Sequence, residues 1–146
     1  MARIVFDFSE LITTCLHDKE KKFTNAIKLE TSCKKFTAEL LRSLQFASSG
    51  ELTELLEADH FHSVESAYIK EKISKIINDD YLYTKRILQI PLGKEPRLYG
   101  TLQKIKHTEF YLFQALLLDP NHLIYEEKNF AKLKNLACLF REKDCC

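Results

Sequence analysis

The longest amphipathic stretch of the sequence spans residues 18–47 and reads DKEKKFTNAIKLETSCKKFTAELLRSLQFA. Its apolar side chains recur every three or four residues, so they would lie along one face of an α-helix. These residues are Phe23, Ala26, Ile27, Cys33, Phe36, Leu40, Leu41 and Leu44. The pattern predicts one long helix that ends at residues 48–50, because Gly50 suits the position after a helix C-terminus.

The segments on both sides of this stretch show a similar spacing. Residues 3–8 fit either a short strand or the first turn of a helix. Ser9 resembles an N-cap, which favours a helix that continues to about residue 16. Further helices are predicted over residues 51–58, 64–77, 81–90, 98–116 and 121–143.

The composition is poor in the residues that strands and tight turns need. Among 146 residues there are 3 glycines and 3 prolines, and valine occurs only at positions 5 and 64. Strand-rich proteins usually contain more β-branched residues, and folds with many turns contain more glycine and proline. We therefore expect an all-α fold. It would be one domain over residues 1–146, a helical bundle of five to seven helices with a loop at 91–97 and a frayed tail at 141–146.

The charges of the chain almost cancel. It has 22 basic and 21 acidic residues, which gives a formal net charge of +1. A protein dedicated to double-stranded nucleic acid usually has a larger basic excess, because phosphate neutralisation supplies most of its affinity. No N-terminal segment has the order of a secretion signal, and the most apolar run, residues 110–118, is too short to span a bilayer. These observations predict an intracellular protein, cytoplasmic or nuclear, without a transmembrane segment.

The five cysteines are Cys15, Cys33, Cys138, Cys145 and Cys146. Their odd number and wide spacing, without a C-x-x-C pair, predict reduced thiols rather than a disulfide framework or a zinc site. The final two cysteines resemble the di-cysteine tail of Rab-type small GTPases, which receives geranylgeranyl groups. Because the phosphate-binding loop of a GTPase is absent, an unmodified polar end is favoured, with lipidation at Cys145 and Cys146 as the alternative.

Metal-capable side chains are densest at Glu57, Asp59, His60 and His62. Glu57 and His60 have the Glu-x-x-His spacing of ferritin-like iron sites, but such sites need a second motif of this kind, which the sequence lacks. Cys15 and His17 would diverge by about 200° on a helix, so they do not form a nucleophile and base pair. We expect no metal, no cofactor and no enzymatic activity.

Basic residues alternate with tyrosines in the segment 81–111. The cations are Lys85, Arg86, Arg97, Lys104 and Lys106, and the tyrosines are Tyr81, Tyr83, Tyr99 and Tyr111. Cations beside exposed aromatic rings can bind single-stranded nucleic acid by phosphate contact and base stacking. The lysine-rich helix over 18–47 also resembles the opening helix of translin-like proteins, which implies single-stranded nucleic-acid binding by a helical assembly. This function is the alternative prediction.

The apolar residues are abundant enough to cover several helices on more than one side. The first prediction is therefore a non-enzymatic, adaptor-like or regulatory domain that docks a protein partner, or a second copy of itself, through an apolar groove or helix face. The residues expected at this interface are Leu82, Ile87, Leu88, Phe113 and Leu116.

Overall fold

The computed structural model of the chain describes residues 2–58 and 61–141. In chain order the elements are β1 (Arg3–Asp7), β2 (His17–Asp18), β3 (Phe23–Thr24), β4 (Ile27–Lys28), α1 (Cys33–Ser49), α2 (Leu52–Leu56), β5 (His62–Ser63), α3 (Ala67–Ile77), a 3-10 turn (Leu82–Thr84), β6 (Ile87–Pro91), β7 (Arg97–Lys104), β8 (Phe110–Asp119), a second 3-10 helix (Glu127–Lys132) and β9 (Leu136–Ala137). The fold is mixed α/β.

Five strands of the described chain form one sheet in the order β1-β8-β7-β6-β5. Strand β1 pairs with β8 in parallel, and the other neighbours are antiparallel. The pairing of β7 with β8 shifts by one residue between Tyr99 and Gly100. Two small ladders, β2 with β3 and β4 with β9, lie outside this sheet. The N-terminal strand thus joins the sheet beside the last long strand.

The sheet has a different cover on each face. Helices α1 and α2 contribute Phe36, Leu52 and Leu55 to one apolar core, together with residues from β1, β6, β7 and β8. On the opposite face, Ile69 and Ile73 of α3 belong to a second core, to which the segment after β8 also contributes. Burying apolar area on both faces is the main stabilisation of such a layered fold.

Serine N-caps define where the two longer helices begin. The Ser32 hydroxyl accepts a hydrogen bond from the Lys35 amide at 3.3 Å, and the Ser66 hydroxyl accepts one from Ile69 at 3.3 Å. These bonds satisfy amide groups that have no partner within the helix. The helices predicted over 51–58 and 64–77 are confirmed with shorter bounds, as α2 and α3.

The prediction of an all-α bundle of five to seven helices is wrong. The segment 81–90 contains a 3-10 turn and strand β6, and the segment 98–116 forms the β7–β8 hairpin. The run Ile87–Pro91 has four buried residues in succession. A strand that is buried on both faces does not alternate apolar with polar residues, so its periodicity resembles that of a buried helix.

The N-terminal third also differs from the prediction. Residues 3–7 form a strand, and the helix predicted over 18–47 begins only at Cys33. Before it, the buried Asn25 side chain donates to the carbonyl of Thr14 and accepts from the amide of Leu16, both at 2.8 Å. These bonds hold the backbone in an irregular course, which a helix over the same residues would break.

The C-terminal segment is not the predicted helix over 121–143. It contains the second 3-10 helix and the short strand β9. The predicted loop at 91–97 is a tighter connection, because Pro91 closes β6 and Arg97 opens β7. Of the tail predicted to fray at 141–146, residues 142–146 lie outside the described residues, and so do Cys145 and Cys146.

Cys15 and Cys138 form a disulfide, with their Cα atoms 5.9 Å apart. This bond corrects the expectation of reduced thiols at these two positions, and Cys33 is disulfide-bonded as well. Sequence spacing missed the pair because the two residues are 123 positions apart and meet only in the folded chain. Along residues 2–58 and 61–141, no helix combines the length and the apolarity needed to cross a membrane.

Candidate functional site

On one face of the sheet, several side chains of β1, β7 and β8 are exposed to solvent. In β1, β7 and β8, Ile4, Leu102 and Phe113 point into the core under α1. Side chains alternate between the two faces of a strand, so their sequence neighbours point the other way. We call this surface the open face, and its residues are Arg3, Val5, Asp7, Thr101, Gln103, Phe110, Leu112 and Gln114.

The strand register orders the open face into rows. Val5 lies opposite Leu112, which in turn lies opposite Gln103. In the next row, Asp7 lies opposite Gln114, and Gln114 lies opposite Thr101. The first row is therefore apolar except for its amide, and the second is polar throughout, with neighbouring strands about 5 Å apart.

The exposure of the open face differs along its length. Phe110 is 44% exposed and Val5 is 42% exposed, whereas Leu112 is half-buried. Further along the same strands, Tyr99 and Leu117 are fully buried, because α3 and the segment after β8 cover them. The uncovered part therefore lies at the end of the sheet where the β7–β8 hairpin turns.

The hairpin end of the sheet has a cationic rim. Lys104 shares the face of Leu102, so its side chain leaves β7 on the α1 side and not on the open face. Leu102 donates its amide to the Arg86 carbonyl at 2.9 Å, so the chain before β6 continues beside β7. Arg86 therefore lies opposite Leu102, about 8 Å from Lys104 by strand geometry. Lys85, Arg86, Lys104 and Lys106 are exposed. Glu109 is the acidic residue of the same turn.

Two exposed tyrosines precede this rim in the chain. Tyr81 is 73% exposed and Tyr83 is 63% exposed, on either side of the buried Leu82. The other two predicted tyrosines differ, since Tyr99 is buried and Tyr111 is half-buried against the core under α1. The structure thus brings together only part of the basic and aromatic residues that the sequence placed in one region.

Arg97 is the cation that the structure separates from the others. It is 1% exposed, and its Nη1 donates to the carbonyls of Lys94 and Pro96 at 2.9 Å and of Gly93 at 3.4 Å. The guanidinium therefore holds the turn between β6 and β7 in shape. Its position gives it no access to a phosphate group outside the protein.

The residues predicted to dock a protein lie inside the fold. Leu82, Ile87, Leu88 and Phe113 are at most 1% exposed, and Leu116 is half-buried against the core under α3. The helix faces that would have carried them are strands and a 3-10 turn. A protein partner would therefore meet other side chains, such as those of the open face.

A buried polar chain runs from the sheet to its β5 edge. The Tyr99 hydroxyl donates to Gln89 Oε1 at 3.0 Å, and Gln89 Nε2 lies 3.2 Å from His62 Nε2. Burial raises the pKa of Tyr99 well above its ordinary value. Because the tyrosine stays protonated and each group has a partner, this chain stabilises the sheet and does not activate a nucleophile.

The metal-capable cluster is only partly described. Glu57 is exposed at the end of α2, and His62 packs edge-on against Tyr125 at 6.1 Å. Asp59 and His60 lie outside the described residues. Among those that the structure does describe, no three His, Cys, Asp or Glu side chains form a metal-binding group. Cys15 is bonded to Cys138, so it is not a nucleophile beside His17 in this state.

A sequence signal for the open face existed at its first strand. Residues 3–8 fit a strand as well as a helix, and only the strand places Val5 beside Leu112. Phe110, Leu112 and Gln114 share one face of β8 at a spacing of two, but the predicted helix turned Leu112 about 200° away from the other two.

Comparison with known proteins supplies a family. No curated protein and no solved structure matches the chain. The family model described as "Uncharacterised protein UU032" matches residues 7–141. Because this match covers almost the whole chain, the protein belongs to the UU032 family.

Proposed function

We propose that the protein binds single-stranded nucleic acid on the open face. One observation supports this most: an uncovered strand surface carries the exposed ring of Phe110 at a hairpin end whose rim bears exposed lysines. Lys85, Lys104 and Lys106 are exposed, so phosphates can reach them, although Lys104 also attracts the carboxylate of Glu109.

The layout suits a strand whose bases are exposed. An aromatic ring on a sheet surface offers a stacking platform to any base, worth about 1–3 kcal/mol per base. Gln103, Gln114 and Thr101 lie beside this ring and could bond base edges. In this proposal, the exposed lysines at the hairpin end contact the sugar-phosphate backbone. A duplex hides its base faces, so it would gain only the charge contacts.

The nearly neutral net charge limits where binding can occur. With a formal charge of +1, the surface as a whole does not attract a polyanion, so affinity must come from a local cluster. Each phosphate contact should contribute about 0.7 to the slope of log affinity against log salt. Three lysines therefore predict a slope near −2.

The test is fluorescence anisotropy with labelled 20-nucleotide DNA and RNA, single-stranded and duplex, from 20 to 300 mM KCl. The triple variant Lys85→Ala, Lys104→Ala, Lys106→Ala should lose at least tenfold in affinity and most of the salt dependence. Phe110→Ala should lose about tenfold with little change in slope.

The matched control is the triple variant Lys19→Ala, Lys34→Ala, Lys132→Ala. It removes the same charge from exposed positions away from the hairpin end. Its affinity should fall less than about threefold. Equal losses in the two triple variants, or no binding at 20 mM KCl, would exclude the proposal.

A second candidate function is docking of a protein, such as a second copy of this chain. The apolar centre of the open face favours it, because the half-exposed Val5 lies directly opposite Leu112. Sedimentation across a concentration series should then show a dimer, which Val5→Lys abolishes. A monomer at all concentrations would exclude self-association. Both functions are binding roles without catalysis.

A further inference from the structure

The bond between Cys15 and Cys138 connects two remote parts of the chain. Its Cα atoms are 5.9 Å apart, which is within the usual range for disulfides. We infer that this pair is a reversible modification site. Its oxidation holds the C-terminal segment 133–141 against the fold, and its reduction releases that segment. We call residues 133–141 the clasp segment.

Backbone pairing holds the clasp segment over a short length. Strand β9 pairs with β4 at two positions, Ile27 with Ala137 and Lys28 with Leu136. Next to this ladder, the Leu29 amide donates to the Asn135 carbonyl at 2.7 Å. Ladders of this size have little stability by themselves. The bond at Cys138, directly after β9, therefore adds a covalent attachment to this short ladder.

The clasp segment forms one wall of an apolar cavity. Leu139 and Phe140 line a space of about 360 Å³, together with Phe36 of α1 and with Leu98 and Leu118 of the sheet. Departure of the clasp segment would open this space and expose these apolar side chains. The redox state of the pair would therefore control an apolar surface on the α1 side of the sheet, opposite the open face.

The two cysteines differ in the access that a reagent has to them. Cys15 is exposed, whereas Cys138 is 5% exposed. A small disulfide such as oxidised glutathione would therefore react first at Cys15. The Cys15 thiolate attacks one sulfur of the reagent, forms a mixed disulfide and expels one glutathione thiolate.

Cys138 then completes the reaction within the protein. Its thiolate attacks Cys15 Sγ, forms the intramolecular disulfide and expels the second glutathione thiolate. In total, two protein thiols lose two protons and two electrons, and the reagent gains them as two thiols. A reducing compartment would keep such a bond transient, and an oxidising one would keep it permanent.

The experiment equilibrates the wild-type protein in a series of glutathione buffers from fully reduced to fully oxidised. Non-reducing peptide mapping measures the fraction of Cys15–Cys138 link, and hydrogen exchange measures protection of the clasp segment. The link should rise through the series, and exchange of residues 133–141 should slow at least tenfold in parallel. Exchange in β7 should stay constant.

Two variants separate this pair from the other cysteines. Because Cys33 is also disulfide-bonded, both variants carry Cys33→Ser in addition. Cys15→Ser should then show fast exchange of the clasp segment in every buffer, like the reduced protein. Thr13→Ala, at an exposed neighbouring position, should keep the wild-type response.

Four results would overturn the inference. They are no Cys15–Cys138 link at the most oxidising ratio, a link that survives every reducing buffer, a link without any change in exchange of residues 133–141, and a redox response that persists in Cys15→Ser.

Discussion

The two ends of the β7–β8 hairpin have opposite environments. At one end, Arg97 and Tyr99 are buried, and Asp119 opposite Arg97 is fully buried. At the turn end, Lys104 and Phe110 are exposed. Two basic residues seven positions apart in one strand therefore have different roles: Arg97 holds a turn, and Lys104 lies on a rim. Position relative to the covering layers decides the role of a side chain here, and residue type does not.

The largest effect is expected from Gly100, where the buried end begins. A methyl group there would overlap the Gln114 carbonyl oxygen and lie 2.6 Å from the Phe113 ring. Gly100→Ala should lower the free energy of unfolding by about 4 kcal/mol in urea denaturation. As a control, the nearest atoms to a methyl group at Gly50 belong to the Leu55 side chain, at 2.8 Å, and not to the backbone, so Gly50→Ala should cost less, about 1–2 kcal/mol. Equal losses of stability in Gly100→Ala and Gly50→Ala would contradict the closer packing around Gly100.

Replacing the two cations of β7 compares its ends directly. Arg97→Met removes the donor that serves three loop carbonyls and should cost about 3–4 kcal/mol of unfolding free energy. Lys104→Met, at an exposed position, should change it by less than about 0.5 kcal/mol. Thermal and urea unfolding of the two variants would measure this. Similar losses would show that the environments are not opposite.

The pH dependence of stability reports on the buried end through Asp119. Burial raises the pKa of Asp119 to about 6, against the lowering effect of hydrogen bonds from the amides of Ile124 and Leu123. The folded protein then holds this proton more tightly than the unfolded chain does. The resulting stabilisation is complete below pH 4 and is lost as the pH rises through 6.

Asp119→Asn cannot titrate, so it isolates this effect. Between pH 4 and pH 7, the wild type should lose about 2 kcal/mol of unfolding free energy relative to Asp119→Asn. Urea denaturation at several pH values would measure the difference between the two proteins. A constant difference over this range would contradict the raised pKa.

The smallest effect is expected at the exposed end. Phe110 is 44% exposed, so Phe110→Ala should lower the free energy of unfolding by less than about 1 kcal/mol. Circular dichroism during urea titration would measure it. A much larger loss would mean that Phe110 belongs to the core and is not available to a ligand.

The sequence predicted the helices better than the strands. In α1, Ser32 caps the first turn and the stripe of Phe36, Leu40 and Leu44 packs against the core, as the spacing indicated. The prediction began this helix too early because Phe23 and Ile27 also fit a helical spacing. They lie in short strands because Asn25 bonds the backbone of Thr14 and Leu16, and the apolar spacing does not reveal these bonds.

The strands of the central sheet were missed for a related reason. The first four residues of Ile87–Pro91 are all buried, so their apolar residues show neither the spacing of a helix nor that of a half-exposed strand. The candidate site was only partly visible as a consequence. Lys85, Arg86, Lys104 and Lys106 were singled out by composition, but Arg97 could not be separated from them without knowing which end of β7 is covered.

The parallel pairing of β1 with β8 has a consequence for synthesis of the protein. Arg3 and Phe110 are partners in this pairing, so β1 leaves the ribosome about a hundred residues before the strand with which it pairs. Contacts so distant in sequence are slow to form. Until β8 emerges, Ile4 and Phe6 of the nascent chain lack their final neighbours. We expect the risk of aggregation, and the need for a chaperone, to be highest during this interval.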